Sequence, residues 1–333
     1  AGLNSVRTYY TITNEATLDT LWASGIGVLM QVFIDSGQTY LNNDPNFASV
    51  NNQPWSSQTA VEVVCALKHH PAIVGWLVAN EPNVKYTGLN GDASLIYLDI
   101  NGVIDAVKAV DTTRPVIVAW GYLPSRATLA RIPNADAWGT NSYLGLSFGE
   151  MFNDWRLKSS KPLVVTEFGT DAYDSRIAAV NEHMQSSVIL ETGLEITANS
   201  APRGGVTAGM FLFEWQDEWN AVGTSHTVQD TTAAWSSSTY PDPEFQEEYM
   251  GLHSISGVAS TRTPRLALYA YSASVNPTVT TSPPPSTADS PPPSPPHPPP
   301  PSPIPHTPTS LISSHGAVFF EATISDLANR MTD

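Results

Sequence analysis

Two scarcities bound this 333-residue chain: it holds one cysteine, and its Lys and Arg number 15 against 31 Asp and Glu. A lone thiol, Cys65, forms no internal disulfide, and its setting, VEVVCALKHH, predicts a buried core position on a helix rather than a reactive group. The formal charge of −16 repels phosphate backbones and anionic lipid, which argues against nucleic acid and membrane surfaces as partners and for a neutral substrate. No apolar run approaches the ~18 residues that span a bilayer. The one Asn-x-Thr triplet, at Asn276, has Pro in its centre and cannot accept an N-glycan. Zinc-ligand spacing, a GxSxG elbow and a Gly-rich phosphate loop after a strand are all missing, so neither metal nor cofactor is expected. No leader segment is visible and the chain opens on Ala rather than Met, so a processed form or a fragment is expected.

What is present is apolar and aromatic. Hydrophobic residues make up 41% of the chain and include nine Trp, twelve Tyr and ten Phe, enough to fill a large core and still line a cleft. Composition breaks near residue 275. From Pro283 to Pro308, 15 of 26 residues are proline, a stretch with few backbone donors and no apolar set to bury. Residues 276–309 should form an extended polyproline II spacer, its densest part on the order of 80 Å long at ~3.1 Å per residue. Residues 310–333 then have the pattern of one short amphipathic helix.

Residues 1–275 alternate between two kinds of segment. Apolar, β-branched runs recur at 5–10, 27–34, 73–80, 115–121, 137–143, 162–169 and 209–215. Segments of helical spacing, such as 17–25, 57–70 and 93–110, lie between them. Near-continuous apolar strands separated by helices predict a parallel sheet covered on both faces. Seven such units exceed a compact doubly wound sheet and approach a (β/α)8 TIM barrel. One strand is lacking from the count, and because AGLN looks like the end of a helix, the first strand is expected to precede residue 1.

In such a barrel the catalytic groups project from the C-terminal ends of strands. WLVANEPN puts Asn80 and Glu81 at that rim, and VVTEFG puts Glu167 there. Two carboxylates on separate strands suit glycoside cleavage. One, protonated, assists the leaving oxygen, while the other, ionised, attacks the anomeric carbon; a gap of ~5–5.5 Å gives the retaining route.

These segments carry a resemblance over residues 3–275. HHPAIVGWLVANEPN resembles the strand-four signature of clan A glycoside hydrolases (the family 5 and family 2 barrels), and KPLVVTEFG resembles their strand-seven signature. The resemblance implies Glu81 as acid/base, Glu167 as nucleophile, and Asn80 on the sugar 2-hydroxyl. It implies Arg7 and Tyr143 as supports of the nucleophile and Trp215 as an aromatic platform. Trp120, ending the strand 115–121, is a further candidate to line a subsite. Glu214, Asp217 and Glu218 add rim charge, although adjacent positions cannot all face the cleft. His69 and His70 read as capping or core residues.

The stretch LNSVRTYYTITNEATLDTLWASGIGVLM is similar to β-1,3-glucan-active enzymes, glucanosyltransferases included, and the SPPP repeats are similar to plant and green-algal hydroxyproline-rich wall segments. The expectation is therefore an extracellular or wall-associated retaining hydrolase of a neutral β-glucan or β-mannan. A glucanosyltransferase using the same two Glu and a non-catalytic polysaccharide-binding matrix protein stay open beside it.

Overall fold

Runs such as VIVAWG and LVVTEF carry apolar side chains on both faces, and such strands are stable only with a layer on each side. The computed structural model describes residues 3–32, 55–85, 95–219, 221–222, 228–236, 242–256 and 261–275, and shows that arrangement. Seven strands form one parallel sheet: β1 (Ser5–Arg7), β2 (Gly27–Val32), β3 (Ile73–Asn80), β4 (Val116–Gly121), β5 (Ala137–Asn141), β6 (Leu163–Phe168) and β7 (Thr207–Leu212), paired in chain order. All seven expected strands are found. The Pro-rich spacer and residues 310–333 lie outside the described residues.

Helices connect the strands: α1 (Glu15–Ala23), α2 (Trp55–Leu67), α3 (Pro82–Lys85), α4 (Leu95–Val110), α5 (Arg126–Arg131), α6 (Met151–Lys158) and α7 (Glu182–Ala198), with α8 (Leu266–Val275) following β7. The Asn14 side chain accepts from Ala16 N at the start of α1, and Ser125 caps α5 on Thr128 N, as short polar residues do at helix starts. Leu3 and Asn4 are not helical, so the expected helix end at AGLN is not seen in them. Cys65 is exposed on α2, contrary to the expected core position. The apolar face of α2 there consists of Ala60, Val64 and Leu67, at the three- and four-residue spacing of one helical stripe, and residue 65 falls off it.

Below the rim the strands alternate between two cores. Leu29, Leu77, Ile117, Ala119, Ala137, Val164 and Phe211 fill the barrel interior. Val28, Met30, Trp76, Val78, Val118, Trp120, Trp138 and Val165 face outward into the helix layer, as the period of two demands. Trp120 is therefore a core residue, 5% exposed, between the rings of Tyr97 and Trp138 at 6.0 and 5.9 Å. It does not line a subsite, because Ala119 and Gly121 hold the inward positions.

Among the described residues, β1 and β7 pair on one side only, yet the sheet curls into a nearly closed barrel. Tyr9, just beyond β1, meets Phe213, just beyond β7, edge to face at 5.8 Å. Behind β7, Arg265 forks onto Asp217 at 2.5 and 2.7 Å, both side chains being almost wholly buried. A buried pair adds little net stability, but removing one partner strands the other. Arg265→Ala should cost ~3–5 kcal/mol, read as a lower urea midpoint, and joint replacement of both residues by apolar ones should recover most of it.

Candidate active site

A regular strand would point Asn80 outward, since Leu77 faces in. The structure corrects this with a bulge: the β3–β4 register slips between Val78 and Asn80. Ala79 and Glu81 adopt positive φ, 67° and 51°, a conformation that costs non-glycine residues and is found where function holds it. Val78 and Ala79 thus both enter the helix layer, and Asn80 and Glu81 turn to the rim. A second slip, between Thr140 and Asn141 against β6, gives Thr166 an extra place and brings it and Glu167 to the same side. Gly169 follows at φ 144°, where a Cβ would sit 2.7 Å from the Phe213 carbonyl oxygen. The Gly of TEFG is a packing requirement.

The two bulges bring five of the sequence candidates together. Arg7 Nη1 donates to Glu167 Oε1 at 2.7 Å and to the Thr166 carbonyl at 2.8 Å, and its Nη2 donates to Asn80 Oδ1 at 2.7 Å. Tyr143 donates to Glu167 Oε2 at 2.7 Å. Glu81 Oε1 accepts from Asn141 Nδ2 at 2.9 Å, and the same amide donates to Asn80 Oδ1 at 3.1 Å. Glu81 and Glu167 are thereby ends of one hydrogen-bonded chain running through Asn141, Asn80 and Arg7.

Three members were not singled out from sequence. Tyr9 donates to Glu167 Oε1 at 2.8 Å and lies under the Arg7 guanidinium at 4.4 Å. Asn141 is itself oriented by Thr166, whose hydroxyl donates to its Oδ1 at 2.7 Å. For Tyr9 a signal existed: it lies two residues after Arg7, hence on the same side of an extended chain. For Asn141 and Thr166 the cause is the bulge, which has no sequence mark.

Hydrogen bonding distinguishes the two carboxylates. Glu167 is 7% exposed and takes three donors, one of them a guanidinium, so both of its oxygens are held in place by charge-assisted or phenolic hydrogen bonds. Burial alone would lower the Arg7 value, but Tyr9 and Glu167 outweigh it and hold the guanidinium above the usual arginine range. Burial and then the Glu167 charge push the Tyr143 hydroxyl well above the phenol range, and burial does the same for Tyr9 against the pull of Arg7. Both tyrosines therefore keep the protons they donate.

Aromatic side chains pack around the site. Tyr143 meets Trp235 at 5.5 Å and Phe245 at 5.9 Å, and these two stack on each other at 5.1 Å in a two-stranded ribbon. Trp215 stands at the β7 end of the rim, 49% exposed, tilted on His253 at 4.3 Å. Of the rim acids, Glu214 lines a cavity beside Arg7 and Tyr9, Asp217 turns to Arg265, and Glu218 is exposed. His70 accepts from Ala72 N and meets Asp19. No group of three His, Cys, Asp or Glu among the described residues is placed to hold a metal.

Beside the site, Asp171 is 1% exposed, and burial, with the nearby Asp242 charge, pushes it up to about 8. Its unfolded counterpart ionises near 3.8, so between those values the unfolded chain binds fewer protons and stability falls as pH rises. Thermal unfolding should come several degrees higher at pH 5 than at pH 8 from this group, and Asp171→Asn should raise Tm at pH 8 with little effect at pH 5.

Paired rim carboxylates on a parallel α/β barrel are compatible with the glycoside-hydrolase class. The chain matches the model of the glycosyl hydrolases family 2 TIM barrel domain over residues 1–187, more than half its length. It belongs to that family. Of the two groups named in the resemblance, family 2 is thus the one matched; nothing in the matches supports the family 5 grouping or a plant-type tail.

Curated relatives include the β-glucuronidases of Pongo abelii, 31% identical over 124 residues, and of Homo sapiens, 30% over 128. These matches cover 33–34% of this chain and 17–18% of the relatives. Among solved structures, the fold is shared with a β-galacturonidase from Eisenbergiella tayi (TM-score 0.54, 18% identity) and a β-D-glucuronidase from Dictyoglomus thermophilum (0.51, 18%). Each superposition covers 82% of this chain and 44% of the other.

Proposed function

We propose that this chain is a retaining O-glycosyl hydrolase of a neutral β-linked glycan, a β-glucan or β-mannan, with Glu167 as nucleophile and Glu81 as acid/base. One observation carries the proposal: Glu167 is clamped at both oxygens by Arg7, Tyr9 and Tyr143, while Glu81 is held beside it through Asn141. Ionised and fixed in direction, Glu167 attacks the anomeric carbon, and the Glu81 proton passes to the departing glycosidic oxygen. Water, deprotonated by Glu81, then releases the sugar from Glu167 with its configuration restored. Asn80, with its amide oxygen taken by Arg7 and Asn141, keeps its NH2 for the sugar 2-hydroxyl. Rim aromatics, Trp215 among them, offer flat faces to the apolar C–H side of the ring.

The relatives' names point to uronides; the chain's own charge favours a neutral sugar. No lysine follows Lys161, Arg7 is engaged with Glu167 and Asn80, and Arg265 with Asp217. A uronate would enter an acidic wall. Action on a wall or matrix glycan puts the enzyme outside the cell, with the Pro-rich tail as spacer, which cell fractionation of the tagged chain tests.

Reducing-end release from β-1,3-glucan, mannan, cellulose and xylan, with an aryl β-glucuronide as comparison and Glu167→Ala as control, tests the reading. Cleavage of one neutral polymer, lost in the variant, supports it. Preference for the glucuronide refutes the neutral specificity, and folded protein that cuts none refutes hydrolysis of this panel. In that case, transfer of labelled oligosaccharide without new ends identifies a glucanosyltransferase.

A further inference from the structure

We propose that Glu214 reads the sugar bound over Glu167, exchanging hydrogen bonds with one of its hydroxyls and turning away the carboxylate of a uronide. This rests on the glycosidase reading above. Glu214 follows β7 at the rim, between Phe213 and Trp215. Together with Arg7 and Tyr9, the same two residues that hold Glu167 Oε1, these three line one part of a cavity of about 240 Å³ between β1 and β7, whose other walls are mostly apolar.

The polar end of that cavity has an unmet requirement. Glu214 Oε1 is buried with no hydrogen-bond partner among the described residues. An oxygen so placed is costly, and native structures keep such groups chiefly where a ligand or water completes them. The Glu214 carboxyl also shares a hydrogen bond with Glu218.

The surrounding charges decide what the carboxyl can pair with. Burial first, then Glu218, Glu247, Asp217 and Glu167, raise it to about 10. Near neutral pH it therefore carries a proton, and a carboxylic acid both donates and accepts, as a sugar hydroxyl does. A uronate offers only acceptors and a second negative charge. Of the cations in this region, Arg7 lies on Glu167, Arg265 on Asp217 and Arg262 on the Gln216 amide oxygen.

The test compares the 333-residue chain with Glu214→Gln, which keeps a donor and an acceptor, and Glu214→Ala, which keeps neither. Calorimetric titration with gluconic and mannonic lactones, and with saccharolactone as the carboxylate-bearing counterpart, reads binding without turnover. Aryl β-glycosides read kcat/KM. Wild-type protein should bind a neutral lactone at least tenfold more tightly than saccharolactone. Glu214→Gln should stay within tenfold of it, and Glu214→Ala should lose at least a hundredfold in lactone affinity and in kcat/KM, with unchanged circular dichroism. Equal binding by all three proteins, tighter binding of saccharolactone, or no lactone binding by the folded wild type overturns the proposal. Loss of turnover alone in the wild type, with Glu214-dependent lactone binding retained, refutes the glycosidase reading and leaves this one standing.

Discussion

Glu167→Gln lowers kcat by at least ~10⁴-fold, about 5–6 kcal/mol of barrier, on whichever glycan the parent enzyme cuts. The amide keeps the shape of the side chain but is not a nucleophile, and it returns no charge to the Arg7 guanidinium 2.7 Å away. Some stability goes with it, because Arg7 is buried and loses its ionic partner. Tm should fall by several degrees while far-ultraviolet circular dichroism is retained at 25 °C. Tyr143→Phe and Tyr9→Phe remove single donors from the same carboxylate and should cost far less, about one to two decades each. A comparable loss in all three variants would mean that Glu167 only orders the cleft.

Glu81→Ala produces a different pattern of loss. Glycans with poor leaving groups lose at least ~10³-fold in kcat/KM, because no proton meets the departing oxygen. A dinitrophenyl glycoside, whose leaving group departs unprotonated, is still attacked by Glu167 at near the parent rate. Turnover then stalls at the second step, where water lacks its base. Azide needs no base, so adding it should restore turnover and yield the β-glycosyl azide. If loss is uniform across leaving groups and azide has no effect, Glu81 is not the acid/base.

Much of the scaffold was legible. Parity along each apolar run separates the barrel interior from the helix layer, and all seven strands lie where their patterns placed them. Arg7, Asn80, Glu81, Tyr143 and Glu167 converge as the motif order implied. What the pattern hid came from departures from parity. Asn80 reaches the cleft because Ala79 takes up a positive φ and shifts the register, and no residue type announces that shift. Trp120 was misread for the opposite reason: its strand keeps strict alternation, so Ala119 and Gly121 point inward and the large ring goes to the core. An aromatic at a strand end is a cleft residue only if its parity permits.

Cys65 lies one residue off the buried stripe of its helix, and Tyr9 sits two places after Arg7, on the same side of the extended chain. For Glu214 the sequence shows rim charge and no more. Its character arises from burial beside Glu218, Asp217 and the distant Glu247, and the burial and Glu247 are supplied by the fold. Substrate choice lies at this same level, in the charge balance of a cleft wall, and there the uronide-named relatives and this chain's own residues point in different directions.

The assignment of Glu167 as a covalent nucleophile is tested most directly by trapping. Incubating the protein with a 2-deoxy-2-fluoro-β-glycoside bearing a good leaving group slows release of the sugar more than its attachment, so the glycosyl-enzyme accumulates. Mass spectrometry of the digested protein should then find one sugar per chain, on the peptide containing KPLVVTEFG, with the ester at Glu167. A label on Glu81 or Glu214, or an active enzyme that forms no adduct and releases the inverted anomer, would contradict the account.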